Sequence, residues 1–139
     1  MSAGAAPGSD ILTYAAAEDV DILVYCGPIE RRGYERLCDV LKASPRRKNV
    51  LMVMCTYGGD AHAGYRIARA LHHNYPNGAI RLFAPDQCKS AGTLVCIGAN
   101  ELIIADEGEL GPLDVQVAKP EPPRLLRRPI ALSQTLIAA

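Results

Sequence analysis

The sequence predicts an α/β domain built around a mostly parallel sheet, and three observations support this prediction. From residue 20 onward, short apolar runs alternate with segments of helical period, which is the pattern of strands joined by crossover helices. Residues typical of turns, namely glycine, proline or an Asn-Gly pair, separate these segments. The chain has 139 residues, 49% of them hydrophobic, which is enough for one domain with its own core. We therefore expect repeated β-α units in a single domain.

The first predicted strands flank a helix with a clear apolar face. Residues 22–25 form a short strand that ends at a Gly-Pro pair. Residues 31–43 follow as a helix that carries four side chains on one face at helical spacing, namely Tyr34, Leu37, Cys38 and Leu41. Residues 50–55 are continuously apolar, as in a strand that is buried on both faces. We expect this strand to be central in the sheet.

The remaining predicted elements repeat the alternation. Residues 61–74 return to helical period after a Gly-Gly pair, with four small or apolar residues facing inward, namely Gly64, Ile67, Ala68 and Leu71. Residues 79–84 form a third strand and residues 102–105 a fourth. Between them, residues 90–99 form a short helix of small and apolar residues that we expect to be fully buried. Two glycines and a proline after residue 107 limit any further regular element.

The two ends of the chain differ in character from its middle. Residues 1–19 begin with a stretch rich in alanine, glycine and serine and are predicted to be a flexible arm. Residues 119–139 begin with a segment rich in proline and basic residues, which cannot form a continuous helix or a central strand. We interpret them as a C-terminal tail, which leaves residues 20–118 as the folded domain.

Composition excludes several classes of function. Fifteen basic and fifteen acidic residues give a net charge of zero, so we expect no nucleic-acid partner. No apolar run is long enough for a membrane span, and no secretion signal is recognisable. The five cysteines form no CxxC pair, which favours reduced thiols in the cytoplasm. No residue spacing suggests a metal site, and we expect no cofactor.

Two strand ends carry the residues that are most suited to chemistry. Gly58 and Gly59 follow a predicted strand and can direct backbone N–H groups toward an anion, although the same pair also makes a simple tight turn. Ser90 lies where a loop enters a helix, a position at which serine ordinarily caps the helix. A nucleophilic role for Ser90 requires donors aimed at an oxyanion, and the glycine pair together with the N–H of Ala91 offers them.

Three motifs in this order resemble the serine dehydrogenase proteinase group, which is related to signal peptide peptidase A and the Clp protease proteolytic subunit. They are CTYGGD at residues 55–60, KSAGT at residues 89–93 and ELGPLDVQ at residues 109–116. The resemblance implies a Clp/crotonase fold, possession of a motif serine at Ser90, and cleavage of peptide bonds. It also implies an oxyanion hole at Gly59 and Ala91, with Gly58 and Gly92 beside them in the substrate-binding site.

The sequence departs from this family pattern in two respects. Clp-type enzymes take a histidine base from downstream of the serine, whereas all three histidines here precede Ser90. Relatives with a Ser-Lys dyad suggest Lys89 or Lys119 instead, and Lys89 is retained as a candidate catalytic residue. The family also continues with more ordered structure where this chain has its proline-rich segment, so we expect a C-terminus that is either truncated or atypical relative to the family.

The leading hypothesis is a serine peptidase that acts on peptides or proteins and self-associates, as its relatives form rings or stacked oligomers. A first alternative is an acyl-CoA enzyme of the crotonase kind, which uses the same pair of N–H groups to stabilise an enolate. A second alternative is a non-catalytic member that keeps the fold for assembly or partner binding. The missing downstream histidine motivates the second alternative.

Overall fold

Helices and strands alternate along residues 9–43 and 46–113, which are the residues that the computed structural model of the protein describes. In chain order they are α1 (Ser9–Ala17), β1 (Val20–Cys26), α2 (Arg31–Ala43), β2 (Asn49–Cys55), α3 (Ala61–Asn74), β3 (Ile80–Ala84), β4 (Gln87–Cys88), α4 (Ala91–Ile97), β5 (Glu101–Ile104) and β6 (Glu109–Leu110). None of the helices in these two ranges is long and apolar enough to cross a membrane.

The main sheet is parallel and has the strand order β1-β2-β3-β5. Its register pairs Val20 with Asn49 at one end and Cys26 with Cys55 at the other, so β1 and β2 run side by side over their full length. Strands β4 and β6 form a separate parallel pair. The predicted α/β class with a mostly parallel sheet is therefore confirmed.

The three crossover helices cover one face of the main sheet. Each crossover moves one strand further in the same direction, and right-handed connections then place every helix on the same side. Val50, Met52 and Met54 of β2 face these helices and are fully buried. They pack with the inward side chains of α2 and α3, which include Leu37, Leu41, Ile67 and Leu71.

The opposite face of the main sheet is partly open. On β2 the residues between the buried ones, such as Leu51 and Val53, are only half-buried, and Val24 on β1 is 71% exposed. The prediction that residues 50–55 are buried on both faces is therefore wrong. The continuous apolar run of β2 is typical of a strand covered on both faces, but the crossover helices all lie on the face that holds Val50, Met52 and Met54.

Helix boundaries follow the sequence closely where an apolar face and a clear break coincide. Helices α2 and α3 have the predicted bounds. Helix α4 is shorter than predicted and not fully buried, since it ends at Ile97, whose side chain is 65% exposed. The two-residue strands β4 and β6 were not predicted, because elements this short show no periodic pattern in the sequence.

The structure differs from the sequence-based expectation inside the predicted arm. Residues Ser9–Ala17 form α1, which contacts β1 and buries Ala15. Three of its nine residues are a consecutive alanine run, the residue with the highest helix propensity. The predicted tail, residues 119–139, and its boundary at residue 118 lie outside the described residues.

Candidate active site

The carboxyl ends of β1, β2 and β4 converge on one corner of the domain. The loop after β1 pairs with the loop after β2 through an isolated bridge between Ile29 and Gly59, and the loop after β2 pairs with β4 through a second bridge between Thr56 and Cys88. Ligands of open parallel sheets bind outside the carboxyl ends of the strands. A ligand of this domain is therefore expected to bind at this corner.

The two glycines after β2 are required by the backbone there. Gly58 has φ +101° and Gly59 has φ +145°, both in the region that side chains rarely adopt. A Cβ at Gly59 would lie 2.2 Å from the carbonyl oxygen of Ile29. The loop can therefore pass this close to its neighbours only with glycine at both positions.

Thr56 is the residue at this corner that the sequence reasoning overlooked. It is a buried polar side chain, and its Oγ1 accepts a hydrogen bond from the N–H of Gly58 at 3.0 Å. The prediction that Gly58 and Gly59 present consecutive N–H groups to one point is thus not met, because the first of them is already used. A threonine two residues before a glycine is the sequence signal for such a local turn, since its hydroxyl can accept from the N–H two positions later.

Ser90 has a strained backbone and a hydroxyl that makes no hydrogen bond to the helix. Its φ of 49° and ψ of −116° are unusual for a residue with a side chain, and its Oγ does not cap α4. The structural role considered for this serine, helix capping, is absent. Strain of this kind persists only where the surroundings impose it, and it is concentrated at functional sites.

Two backbone N–H groups beside Ser90 donate no hydrogen bond to any described residue. They belong to Gly59, in the loop after β2, and to Ala91, the first residue of α4. By contrast, the N–H of Gly92 is used internally, since it donates to the carbonyl oxygen of Lys89 at 2.8 Å. Gly92 supplies space instead: a Cβ there would lie 2.4 Å from Cγ2 of Thr56.

A cleft of about 700 Å³ lies over these groups. Gly59, Ser90 and Ala91 form part of its lining. One wall is the start of α3, at Asp60 and His62, and the other includes Pro112 beyond β6. A cleft that combines a free hydroxyl with unpartnered N–H donors has the parts that acyl transfer needs, namely a nucleophile and a place for a developing negative charge.

Lys89, the candidate base, is occupied elsewhere. Its ammonium forms an ion pair with Glu109, and this contact lowers the pKa of the Glu109 carboxyl. A general base needs a free lone pair, which a lysine held by a carboxylate does not offer. Lys89 is adjacent to Ser90 in sequence, but its side chain contacts Glu109 on β6.

The histidines occupy three different environments. His62 lines the cleft together with Ser90. His72 forms a 2.6 Å hydrogen bond with the carbonyl oxygen of Gly98, which ties α3 to the end of α4. His73 lies further along α3. No ring nitrogen of these three residues forms a hydrogen bond with Ser90 Oγ in the part of the chain that the structure describes.

Thr93 and Cys88 form the hydrogen bonds that join α4 to its neighbours. Thr93 Oγ1 lies 3.0 Å from the carbonyl oxygen of Cys88 and 2.8 Å from that of Gly111, so it links α4 to β4 and to the loop after β6. The Sγ atom of Cys88 lies 3.5 Å from that of Cys96, and this hydrogen bond, together with burial, raises the pKa of the Cys88 thiol. Cys88 is therefore a packing residue and not a second nucleophile.

Residues 22–129 match the family model of the ClpP-like SDH-type serine proteinases, which is more than half of the chain. An uncharacterized protein of Methanocaldococcus jannaschii is 28% identical over 93 residues, which cover 67% of this chain and 32% of that protein. The chain thus spans about a third of the length of this curated relative.

Two solved structures with a similar fold are mutants of the 1510-N membrane-bound stomatin-specific protease. A lysine-to-alanine mutant in complex with a substrate peptide has a TM-score of 0.58 at 18% identity, covering 86% of this chain and 56% of that one. A serine-to-alanine mutant has a TM-score of 0.50 at 16% identity, covering 61% and 42%. The Clp-like fold that the motifs imply is confirmed, and the chain spans about half the length of these structures.

Proposed function

The chain belongs to the family of ClpP-like SDH-type serine proteinases, and from this premise we propose that it cleaves peptide bonds with Ser90 as the nucleophile. The single observation that carries the proposal is the geometry of Ser90. Its backbone is strained, and its hydroxyl forms no capping hydrogen bond with α4. The two N–H groups beside it donate no hydrogen bond to any described residue. Neither feature stabilises the fold, and both serve acyl transfer.

In this mechanism Ser90 Oγ attacks the carbonyl carbon of the scissile peptide bond. The carbonyl oxygen becomes an oxyanion, and the N–H groups of Gly59 and Ala91 donate hydrogen bonds to it. The C–N bond then breaks, the amine leaves with a proton, and the acyl group stays on Ser90 until water releases it. Gly58 and Gly92 allow the two donors to approach one point, because a side chain at either position would collide with its neighbours.

The base that takes the hydroxyl proton is not Lys89. Its ion pair with Glu109 holds the ammonium away from this task. Replacement of a general base ordinarily lowers the rate by 10²–10⁴-fold, whereas we expect Lys89→Met to lower it by less than about tenfold. The other lysine considered, Lys119, lies outside the described residues.

The substrate is proposed to be a peptide or protein segment in an extended conformation. The cleft of about 700 Å³ over Ser90 has room for such a segment, and its lining includes Gly59, Ala91 and Pro112. One of the similar structures holds a substrate peptide, which supports a peptide over a small acyl-CoA here. An extended segment presents its carbonyl groups to backbone donors, as the Gly59 and Ala91 positions require.

Labelling with a fluorophosphonate probe tests this proposal. The probe reacts with an activated serine, so we expect one adduct, located at Ser90 by mass spectrometry, and none in the Ser90→Ala variant. Absence of an adduct in the wild-type protein would favour the non-catalytic alternative. Turnover of an acyl-CoA by the Ser90→Ala variant would favour the crotonase alternative, because enolate stabilisation needs no serine.

A further inference from the structure

A second groove runs between α2 and α3 and meets the cleft over Ser90 at His62. It has a volume of about 930 Å³, and His62 lines both cavities. Its lining is strongly basic, with four cationic side chains and two histidines, namely Lys42, Arg46, Arg66, Arg69, His62 and His73. None of its described lining residues is an aspartate or a glutamate.

The positive charge of this groove is not neutralised within the described residues. The ion pairs of the described residues are made by Arg31, Arg81 and Lys89, which do not line the groove. None of them involves Lys42 or an arginine of the groove. Glu35 of α2 pairs with Arg31 and does not line the groove. Since the chain as a whole carries no net charge, this concentration of cations is a local property of one surface.

Two of the arginines are positioned in advance by aromatic rings. The guanidinium of Arg66 lies 5.9 Å from the centre of the Tyr34 ring, and that of Arg69 lies 5.9 Å from the centre of the Tyr65 ring. Arg69 also donates to the Tyr65 hydroxyl at 3.4 Å. Planar guanidinium groups held in this way are suited to bidentate contacts with carboxylates, because less side-chain freedom is lost on binding.

Basic residues follow the length of α3 on a single face. His62, Arg66, Arg69 and His73 are spaced by four, three and four residues, which places them in one row. A helix of 14 residues is about 20 Å long, the reach of roughly six residues of extended chain. The row begins at the cleft over Ser90, so a single extended segment can occupy both.

We propose that this groove is a binding site for an acidic segment of the protein substrate, and that it holds such a segment while a neighbouring peptide bond lies over Ser90. The inference deepens the proposed function and rests on it. The groove selects its ligand by carboxylate groups spaced along an extended chain, which match the arginines and the lysine that line it.

Binding of labelled peptides to the Ser90→Ala variant tests this site without dependence on hydrolysis. The probes are fluorescein-labelled hexaglutamate and hexaglutamine peptides, measured by fluorescence anisotropy at low salt. We expect binding of hexaglutamate only, with an affinity that falls about tenfold or more when Arg66→Gln and Arg69→Gln are added. The matched control adds Arg32→Gln and Arg36→Gln, which remove the same charge from α2 outside the groove and should leave the affinity within about twofold.

Equal affinity in the groove variant and the control variant would overturn the proposal, as would failure of hexaglutamate to bind. Stronger binding to a single-stranded oligonucleotide or to phosphatidylserine vesicles at equal charge concentration would overturn it in favour of a different partner. The catalytic proposal fails separately, through absence of the fluorophosphonate adduct, so the two failures are distinguishable. A chain that binds the acidic peptide but forms no adduct retains the groove and loses only the peptidase activity.

Discussion

Gly58 lies directly against Ser90: a Cβ built at Gly58 would come within 2.6 Å of the Ser90 Cβ and 2.9 Å of the Lys89 carbonyl oxygen. Real Cβ atoms essentially never approach this closely, so a side chain at Gly58 must move the serine. The same glycine also has a φ that side chains rarely adopt. Gly58 is therefore tied to Ser90 by geometry even though its own N–H is used by Thr56.

We predict that Gly58→Ala removes activity at a position that contributes no catalytic atom. Gly27→Ala is the matched control, because Gly27 has φ +126° but no atom within 4 Å of the added Cβ. Backbone strain should cost both variants about 1–3 kcal/mol of unfolding free energy. Only Gly58→Ala should also lose turnover of a small activated ester, and equal turnover in the two variants would contradict the proposed site.

Ser90→Gly should lose activity and gain stability. Glycine adopts φ 49° without steric cost, and no capping bond is lost, so we expect the free energy of unfolding in urea to rise by about 1 kcal/mol. Asp19→Gly is the control, since Asp19 is the other non-glycine residue with positive φ in the described ranges. Its turnover should be unchanged, and a destabilised Ser90→Gly variant would show that the serine side chain supports the fold.

Thr56→Val should damage the site through the Gly58 N–H. The substitution leaves this buried donor without an acceptor, at a cost of about 1–3 kcal/mol. Thr56→Ser keeps the acceptor and loses only a methyl group, worth about 0.8 kcal/mol. Thermal unfolding and ester turnover of both variants separate the two effects: turnover should fall in Thr56→Val and persist in Thr56→Ser, and the reverse order would disprove the role of the hydroxyl.

The sequence is informative where a periodic apolar pattern meets a clear break. Helices α2 and α3 were predictable for this reason, and so was the convergence of Gly59 and Ser90, because both were expected beyond the carboxyl ends of parallel strands. In the structure Gly59 follows β2 of the main sheet, whereas Ser90 follows β4 of the separate pair. The open face of the sheet was not predictable from β2, whose continuous apolar run reads as a strand covered on both sides. Which side the crossover helices occupy depends on the order of the strands, and that order is not a local property.

The site was predictable in its residue types and less so in their contacts. Ser90 was identified with two roles open, capping or nucleophile, and only the backbone conformation excludes the capping bond. The sequence gives no sign that Lys89 turns to Glu109, because the contact depends on the two-residue pairing of β4 with β6. The basic row on α3 was not predicted from the sequence, because the groove that it lines depends on the position of α2 beside it.

The ion pair between Lys89 and Glu109 predicts a specific pH dependence of stability. Because the pKa of Glu109 is lowered in the folded protein, its contribution is fully present above the ordinary glutamate value of 4.5 and disappears as the pH falls through the lowered value. The difference in unfolding free energy between wild type and Glu109→Gln should therefore be constant near neutral pH and vanish in acid. Glu107→Gln is the control, and a Glu109→Gln difference that persists at low pH would contradict the ion pair.

The open face of the main sheet predicts self-association of the chain. Val24 is 71% exposed, Ile103 is 37% exposed, and Phe83 lies between them on the same face, so an apolar surface borders solvent where none of the described helices covers it. Contiguous apolar surface of this kind is characteristically buried against another copy.

We expect Val24→Glu to shift the protein toward monomer in light-scattering measurements at fixed concentration. Val40→Glu, which places the same charge at a 49% exposed valine of α2 on the other side of the sheet, should leave the assembly unchanged. A monomeric wild-type protein, or equal effects of the two substitutions, would show that this face is not the contact between copies.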